Sequence, residues 1–194
     1  MPAAASVPAV SSKETAQSVE VLEDLIKNLN VSGSQDEVNA ASGNLASLFS
    51  GPIPEQTLPA KAVEIFKKQL GNKKDAVVRE RALEAIRAIA AQPTVAAGVE
   101  PHLVSILGAV LAAIGDKMVP VKNAAQAAAL TIAKAVNPNA VKAVLPPILE
   151  SVANASKWAE KMTALECVDT LVQSAPATRS LAWTHPDVGP IRLS

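Results

Sequence analysis

The chain has 194 residues, enough for one ordinary domain or for a short array of helix-pair repeats of about 40 residues each. Hydrophobic residues make up 49% of it and charged residues 19%, which excludes a wholly disordered chain. The formal net charge at pH 7 is zero, which argues against a protein that coats nucleic acid generally. Aromatic residues are only 2% and alanine is abundant, so the composition predicts an all-α fold.

The N-terminal part begins without a helical pattern. Residues 1–17 are rich in Ala, Ser and Pro and show no apolar periodicity, so we expect a flexible tail there. Apolar residues recur at helical spacing from about Ser18 and predict a first helix. A capping box of Ser34 and Glu37 predicts the start of a second helix, which Gly51-Pro52 ends.

Three more helices follow. The third is predicted over residues 59–70, with Gly71 at its C-terminal end. The fourth begins near Asp75, whose carboxylate suits a helix N-terminus, and ends at Gln92-Pro93. The fifth has Pro101 in its first turn and ends at Gly115.

The sixth helix runs from about residue 116–120 to Asn137-Pro138, and the seventh covers residues 141–152 with two internal prolines that predict a kink. The eighth covers about 157–172. Its predicted buried face consists of Trp158, Met162, Leu165, Val168 and Leu171. Residues 176–194 form an irregular tail that either caps the last helices or frays, and its three prolines favour fraying.

The even-numbered helices repeat one pattern. Five residues of the fourth helix have counterparts in the sixth helix 43 positions later: Val78, Arg79, Ala82, Ala85 and Ile89 correspond to Val121, Lys122, Ala125, Ala128 and Ile132. Lys122 corresponds in turn to Lys161, a further 39 positions along the chain. A period of about 40 is typical of a HEAT or armadillo-like α-solenoid, here about four antiparallel helix pairs over residues 18–175. We expect the small residues of the pattern to be buried between layers: Ala82, Ala85, Ala125, Ala128, Ala164 and Cys167.

Four segments carry a resemblance to a known family. The segments 99–102 (VEPH), 135–138 (AVNP), 142–146 (KAVLP) and 157–161 (KWAEK) occur in that order. Together they resemble the N-terminal HEAT-repeat region of fungal translation elongation factor three. The resemblance covers about residues 18–175 and rests on structural signatures that name no active site.

The resemblance implies a function in translation elongation. In that family the HEAT region is a docking arm for the ribosome, meeting rRNA and ribosomal proteins in the cytoplasm, and two ATP-binding cassettes follow along a longer chain. The eight glycines of this chain provide no G-x-x-x-x-G-K-[ST] phosphate loop, so we expect a non-enzymatic chain without a cofactor. The alternative is a HEAT adaptor that binds a protein partner along its concave face.

Few residues suggest other chemistry. The two histidines, His102 and His185, are far apart, and Cys167 occupies the repeat position of Ala85, which favours a buried core thiol. We therefore expect no catalytic residues, no metal site and no small-molecule substrate. No run of 18 apolar residues occurs, and we expect no membrane partner.

Two aspartates precede two basic residues at the starts of successive even-numbered helices: Asp75 before Arg79, and Asp116 before Lys122. A cation in the first turn of a helix is opposed by the helix dipole and favours a nearby carboxylate. We expect a structural ladder in which the aspartate of one repeat pairs with the basic residue of its neighbour, and ligand contact is the less favoured reading.

The basic charge is concentrated in the middle of the chain, where residues 61–161 hold 14 basic and 8 acidic side chains. Lys73, Lys74, Lys117 and Lys157 fall at the turns within three successive helix pairs, and we name them the lysine row. Stacked turns lie roughly 10 Å apart, so the row suits a phosphate backbone, although a solvated turn explains it equally well. Trp158 either stacks on a base beside this row or, as its periodicity favours, belongs to the core.

Overall fold

The computed structural model describes residues 12–31, 33–49 and 57–174. Eight α-helices lie in these residues. They are α1 (Ser12–Val31), α2 (Gln35–Leu48), α3 (Thr57–Leu70), α4 (Ala76–Ala91), α5 (Pro93–Ala113), α6 (Val119–Ala135), α7 (Val141–Asn154) and α8 (Trp158–Ser174), with a short 3-10 turn at Pro138–Ala140. The expected break at residues 51–52 and the expected tail at 176–194 lie outside the described residues.

The helices form two rows. The odd-numbered helices contact one another in the order α1, α3, α5 and α7, and the even-numbered helices in the order α2, α4, α6 and α8. Each odd helix also packs on the even helix that follows it. This arrangement confirms the prediction of an all-α HEAT-type solenoid with four helix pairs, and the described residues contain no strand.

The core lies between the two rows. The six small residues of the repeat pattern, from Ala82 to Cys167, are all fully buried, as expected. Their size lets α4, α6 and α8 approach closely, while larger side chains such as Leu83, Ile86 and Ile132 fill the space beside them. Full burial of one such Leu or Ile contributes about 1.5–3 kcal/mol, so the apolar stripes hold the stack together.

Side-chain caps fix the starts of two helices. Ser34 Oγ accepts a hydrogen bond from the Glu37 backbone N–H, and the Glu37 carboxylate accepts from the backbone N–H groups of Gly33 and Ser34. Those two bonds lower the pKa of Glu37. Asp75 caps α4 by accepting from Val77 and Val78. The capping box and the Asp75 helix start were both readable from the sequence.

Two helices begin earlier than expected. Helix α1 starts at Ser12, ahead of the boundary placed at Ser18. Helix α5 starts at Pro93, so Pro101 lies inside it and the placement of Pro101 in the first turn was wrong. Pro93 suits a first-turn position because its missing N–H has no intrahelical partner there. Pro101 is exposed, where water can satisfy the carbonyl that loses its donor. Helix α7 is continuous through Pro146 and Pro147, and its kink stays a prediction.

The predicted buried face of α8 is wrong for three of its residues. Trp158 is 74% exposed and Leu165 50% exposed, and Met162 is also exposed. Leu171 is buried as predicted, and Thr163, Ala164 and Cys167 complete the inward face. Helices α6 and α7 pack on this small-residue side of α8. The large apolar side chains face the opposite way, at the end of the described stack.

One helix of the described residues, α5, has the length and hydropathy that a membrane crossing requires. It also contacts α3, α4, α6 and α7. Core helices of repeat proteins pass the same test, so this property of α5 is weak evidence for a membrane.

Candidate nucleic-acid interface

Three turns form one edge of the stack. They join α3 to α4 (residues 71–75), α5 to α6 (114–118) and α7 to α8 (155–157). The four side chains of the lysine row lie on these turns and are all exposed. The lysine row therefore lies on the equivalent turn of three successive helix pairs.

Arg79 joins the first two turns. Its Nε donates to Asp116 Oδ2 at 2.8 Å and its Nη2 to Asp116 Oδ1 at 3.0 Å, a bidentate pair in which both side chains are largely buried. Its Nη1 also donates to the carbonyl oxygens of Asn72 at 2.6 Å and Asp75 at 3.1 Å. One guanidinium thus bonds to the turn of its own repeat and to that of the next.

Asp116 has a second function in its own turn. Its Oδ1 accepts from the backbone N–H of Met118 at 2.8 Å, just before α6 begins. Partial burial alone raises the pKa of Asp116, but the hydrogen bonds from Arg79 and from the Met118 backbone outweigh burial and lower the net pKa. The carboxylate is therefore held ionised where it connects two repeats.

The other two residues of the expected ladder are arranged differently. The Asp75 carboxylate caps α4, and Arg79 donates its hydrogen bond to the Asp75 backbone carbonyl instead of to that carboxylate. Among the described residues, no carboxylate lies within 4.0 Å of Lys122 Nζ. The turn of the next repeat, residues 155–157, reads Ala-Ser-Lys and offers no acid to Lys122.

Lys157 makes the second connection between turns. Its Nζ donates to the carbonyl oxygen of Gly115, one repeat earlier. A Cβ at Gly115 would overlap Glu160 Oε1, so glycine leaves the space that the Glu160 side chain occupies. Sequence reasoning missed this connection, although the separation of 42 residues, one repeat period, was the available signal.

The remaining lysines of the row carry uncompensated charge. Within the described residues no carboxylate lies within 4.0 Å of Lys73, Lys74 or Lys117. The nearby acids Asp75 and Asp116 already accept hydrogen bonds from helix N-termini or from Arg79. The edge therefore presents three ammonium groups to solvent on an ordered backbone.

The other two titratable candidates are a buried thiol and a partly buried imidazole. Cys167 is buried, and burial followed by the nearby Glu166 charge raises the pKa of its thiol to about 12. His102 borders a small apolar cavity of about 30 Å³ with Phe49 and Phe66, and its partial burial lowers its pKa. In the described part of the chain, no three His, Cys, Asp or Glu side chains are grouped to hold a metal ion.

The fold and the edge together define an α-helical repeat protein of the HEAT class. The family model described as "EF3 N-terminal HEAT repeat" matches residues 38–191, and the chain belongs to this family. Curated relatives support the assignment. The chain is 36% identical to elongation factor 3 of Candida albicans over 93% of its length, and 33% identical to elongation factor 3B of Saccharomyces cerevisiae over 92%. It spans only 17% and 16% of those two proteins.

Proposed function

We propose that this chain is a non-catalytic scaffold that docks onto the ribosome in translation elongation. The observation that carries the proposal is the similarity to elongation factor 3 over nine-tenths of the chain. The matched family model covers the N-terminal HEAT region of those proteins. Helical solenoids present extended surfaces that suit the binding of large partners. The cytoplasm is the compartment that this function requires.

The surface that we propose for the contact is the lysine row. Lys73, Lys74 and Lys117 offer ammonium groups that no described acid neutralises, and phosphate oxygens of rRNA are the partners such groups favour. The Arg79–Asp116 pair fixes the distance between the first two turns. A fixed spacing lowers the entropy that binding costs, because the cations need no further ordering of the backbone.

Lys157 contributes to the row differently. Since its ammonium already donates to the Gly115 carbonyl, we assign it first to the connection between repeats and only second to phosphate. Its remaining two donors stay available, because an ammonium group carries three.

The direct test is co-sedimentation of the purified chain with ribosomes at low and at moderate salt. Binding that is lost between these conditions is the expected result, because phosphate contacts release counterions. The competing function, an adaptor for a protein partner, predicts salt-resistant capture of a peptide and no ribosome binding. An ATPase assay of the chain alone is expected to be blank, and turnover above background would contradict the non-catalytic assignment.

A further inference from the structure

A groove opens between α5 and α7, at the edge of the stack that carries the lysine row. This α5–α7 groove has a volume of about 290 Å³ and reaches the first turn of α8. Part of its lining is apolar and consists of Gly108 and Ala112 of α5 and Pro147 of α7. Because Gly108 and Ala112 carry little or no side chain, α5 leaves open space opposite α7.

The rest of the α5–α7 groove is lined mainly by polar side chains. They are Glu150, Ser151 and Asn154 of α7 and Glu160 of α8. Within the described part of the chain, none of these four side chains makes a hydrogen bond or an ion pair. Two carboxylates therefore share the groove with a hydroxyl and an amide whose acceptor atoms are unused.

The α5–α7 groove favours a positive charge. Helices α5 and α7 end beside it, at Ala113 and Asn154, so the negative ends of two helix dipoles adjoin the two carboxylates. The ammonium group of Lys157 donates to the Gly115 carbonyl near Glu160. Even so, no cationic nitrogen of the described residues lies within 4.0 Å of either carboxylate. A cation from outside the described residues would therefore find two unpaired acceptor groups.

We propose that the α5–α7 groove binds an arginine side chain of a protein partner. The methylene groups of arginine would lie along the apolar lining, and its planar guanidinium presents five N–H donors to the carboxylates, the hydroxyl and the amide oxygen. Lysine offers three donors and a more strongly hydrated charge, so arginine fits better. The volume is at the lower end of the range of small-ligand pockets, about 300–1,000 Å³, and suits one long side chain.

The identity of the partner rests on the proposed docking to the ribosome. A protein that itself binds rRNA is rich in arginine and lysine, because these side chains neutralise the phosphate groups around it. The α5–α7 groove and the lysine row lie on the same edge of the stack. The row would contact phosphate while the groove holds a basic side chain of an adjacent ribosomal protein.

The first test titrates the full chain, labelled with ¹⁵N, with N-acetyl-argininamide and follows the backbone amide signals by NMR. Saturable shifts at Gly108, Ala112 and Ser151 are the expected result. The citrulline analogue has the same shape without the charge and should bind about tenfold more weakly. The absence of saturable shifts at the groove, or equal binding of the two probes, would overturn the proposal.

A double variant, Glu150→Gln with Glu160→Gln, tests the two carboxylates in the same titration. Glutamine keeps the size of glutamate, so the groove keeps its shape while it loses its charge. This variant should weaken binding of the arginine probe about tenfold. The matched control is Glu20→Gln with Glu23→Gln, two exposed positions of α1 that give the same change in net charge. Arginine binding that is equal in the two double variants would overturn the assignment of the carboxylates.

Co-sedimentation with ribosomes tests the partner, and the sign of the effect is diagnostic. Removing two negative charges should strengthen a contact made only with phosphate, whereas the groove variant should bind ribosomes about threefold to tenfold more weakly than the control variant. Binding as tight as that of the control would overturn the groove contact and leave docking through the lysine row standing. If the unmodified chain binds no ribosomes, the docking proposal itself fails and the ribosome is excluded as the source of the arginine.

Discussion

Arg79 and Asp116 stand 37 residues apart in the sequence and connect two successive helix pairs through a bidentate ion pair. The same guanidinium holds the Asn72 and Asp75 carbonyls of its own turn, and the same carboxylate accepts from Met118 in the next. Two turns are therefore joined by side chains that also order the starts of α4 and α6. The exposed lysines of both turns lie on the backbone that this connection orders.

Arg79→Ala should destabilise the fold by about 2 kcal/mol, because it removes the guanidinium donor from two backbone carbonyls and from a largely buried carboxylate, which keeps only its backbone donors. The free energy of unfolding in urea measures the loss. Arg87→Ala is the matched control, since Arg87 pairs with Glu84 in the same helix and is much more exposed. It should cost less than about 1 kcal/mol. Equal losses for the two variants would contradict the connecting function of Arg79.

The Asp116 contribution should depend on pH in one direction. Its pKa in the folded chain is lowered from a reference value of 3.8, so its stabilisation is complete above that value and is lost as the pH falls through the folded pKa. The stability difference between the original chain and Asp116→Asn should therefore be constant near neutral pH and shrink below pH 3.8. Thermal unfolding over a pH series measures this difference, and a gap that widens in acid would refute the assignment.

Gly115→Ala should be mildly destabilising, by about 1 kcal/mol, because the new Cβ would overlap the Glu160 carboxylate and displace it. The Glu160 side chain is flexible, so the part of the loss that it causes should disappear in a Glu160→Ala background, whereas the part due to the Ala112 carbonyl oxygen, 3.3 Å from the new Cβ, should remain. Gly108→Ala is the control, since its nearest neighbour is Pro147 at an ordinary 3.9 Å and helix propensity favours alanine. If Gly115→Ala costs the same with and without Glu160, the contact does not explain the glycine.

Cys167 should be inert in the folded chain. It is fully buried and its pKa is raised to about 12, so little thiolate exists at pH 8 and reagents cannot reach it. Labelling by a thiol reagent should proceed only as fast as the last repeat opens, and it should accelerate in urea together with loss of helix. Rapid stoichiometric labelling in native buffer would show that α8 does not pack as described.

The sequence predicts the repeat well and its ends poorly. The burial of Ala82, Ala125 and Ala164 could be predicted, because small residues that recur at a fixed period indicate close packing of neighbouring helices. The inward face of α8 was misassigned because Trp158 and Leu165 match a helical period as well as Ala164 and Cys167 do. Periodicity identifies apolar faces but cannot say which of two faces has a neighbour.

The candidate interface was predicted only in part. The positions of Lys73, Lys74 and Lys117 on turns followed from the repeat. The partner of Lys157 could not be predicted, because it is a backbone carbonyl, which every residue carries. The sequence predicted that a basic residue pairs with an aspartate of the neighbouring repeat, and Arg79 pairs with Asp116 in this way. The absence of an acid near Lys122 in the described residues could have been read from Ala-Ser-Lys at 155–157.

The most direct test of ribosome docking through the lysine row is the salt dependence of ribosome binding for a triple variant, Lys73→Glu, Lys74→Glu and Lys117→Glu. Its control is Lys27→Glu, Lys134→Glu and Lys142→Glu, which makes the same change in net charge at exposed sites away from the row. We expect the first variant to weaken binding at least tenfold at low salt and to flatten the slope of log K against log salt by about 2, while the control changes neither much. Equal weakening by the two variants would contradict a contact localised to the lysine row.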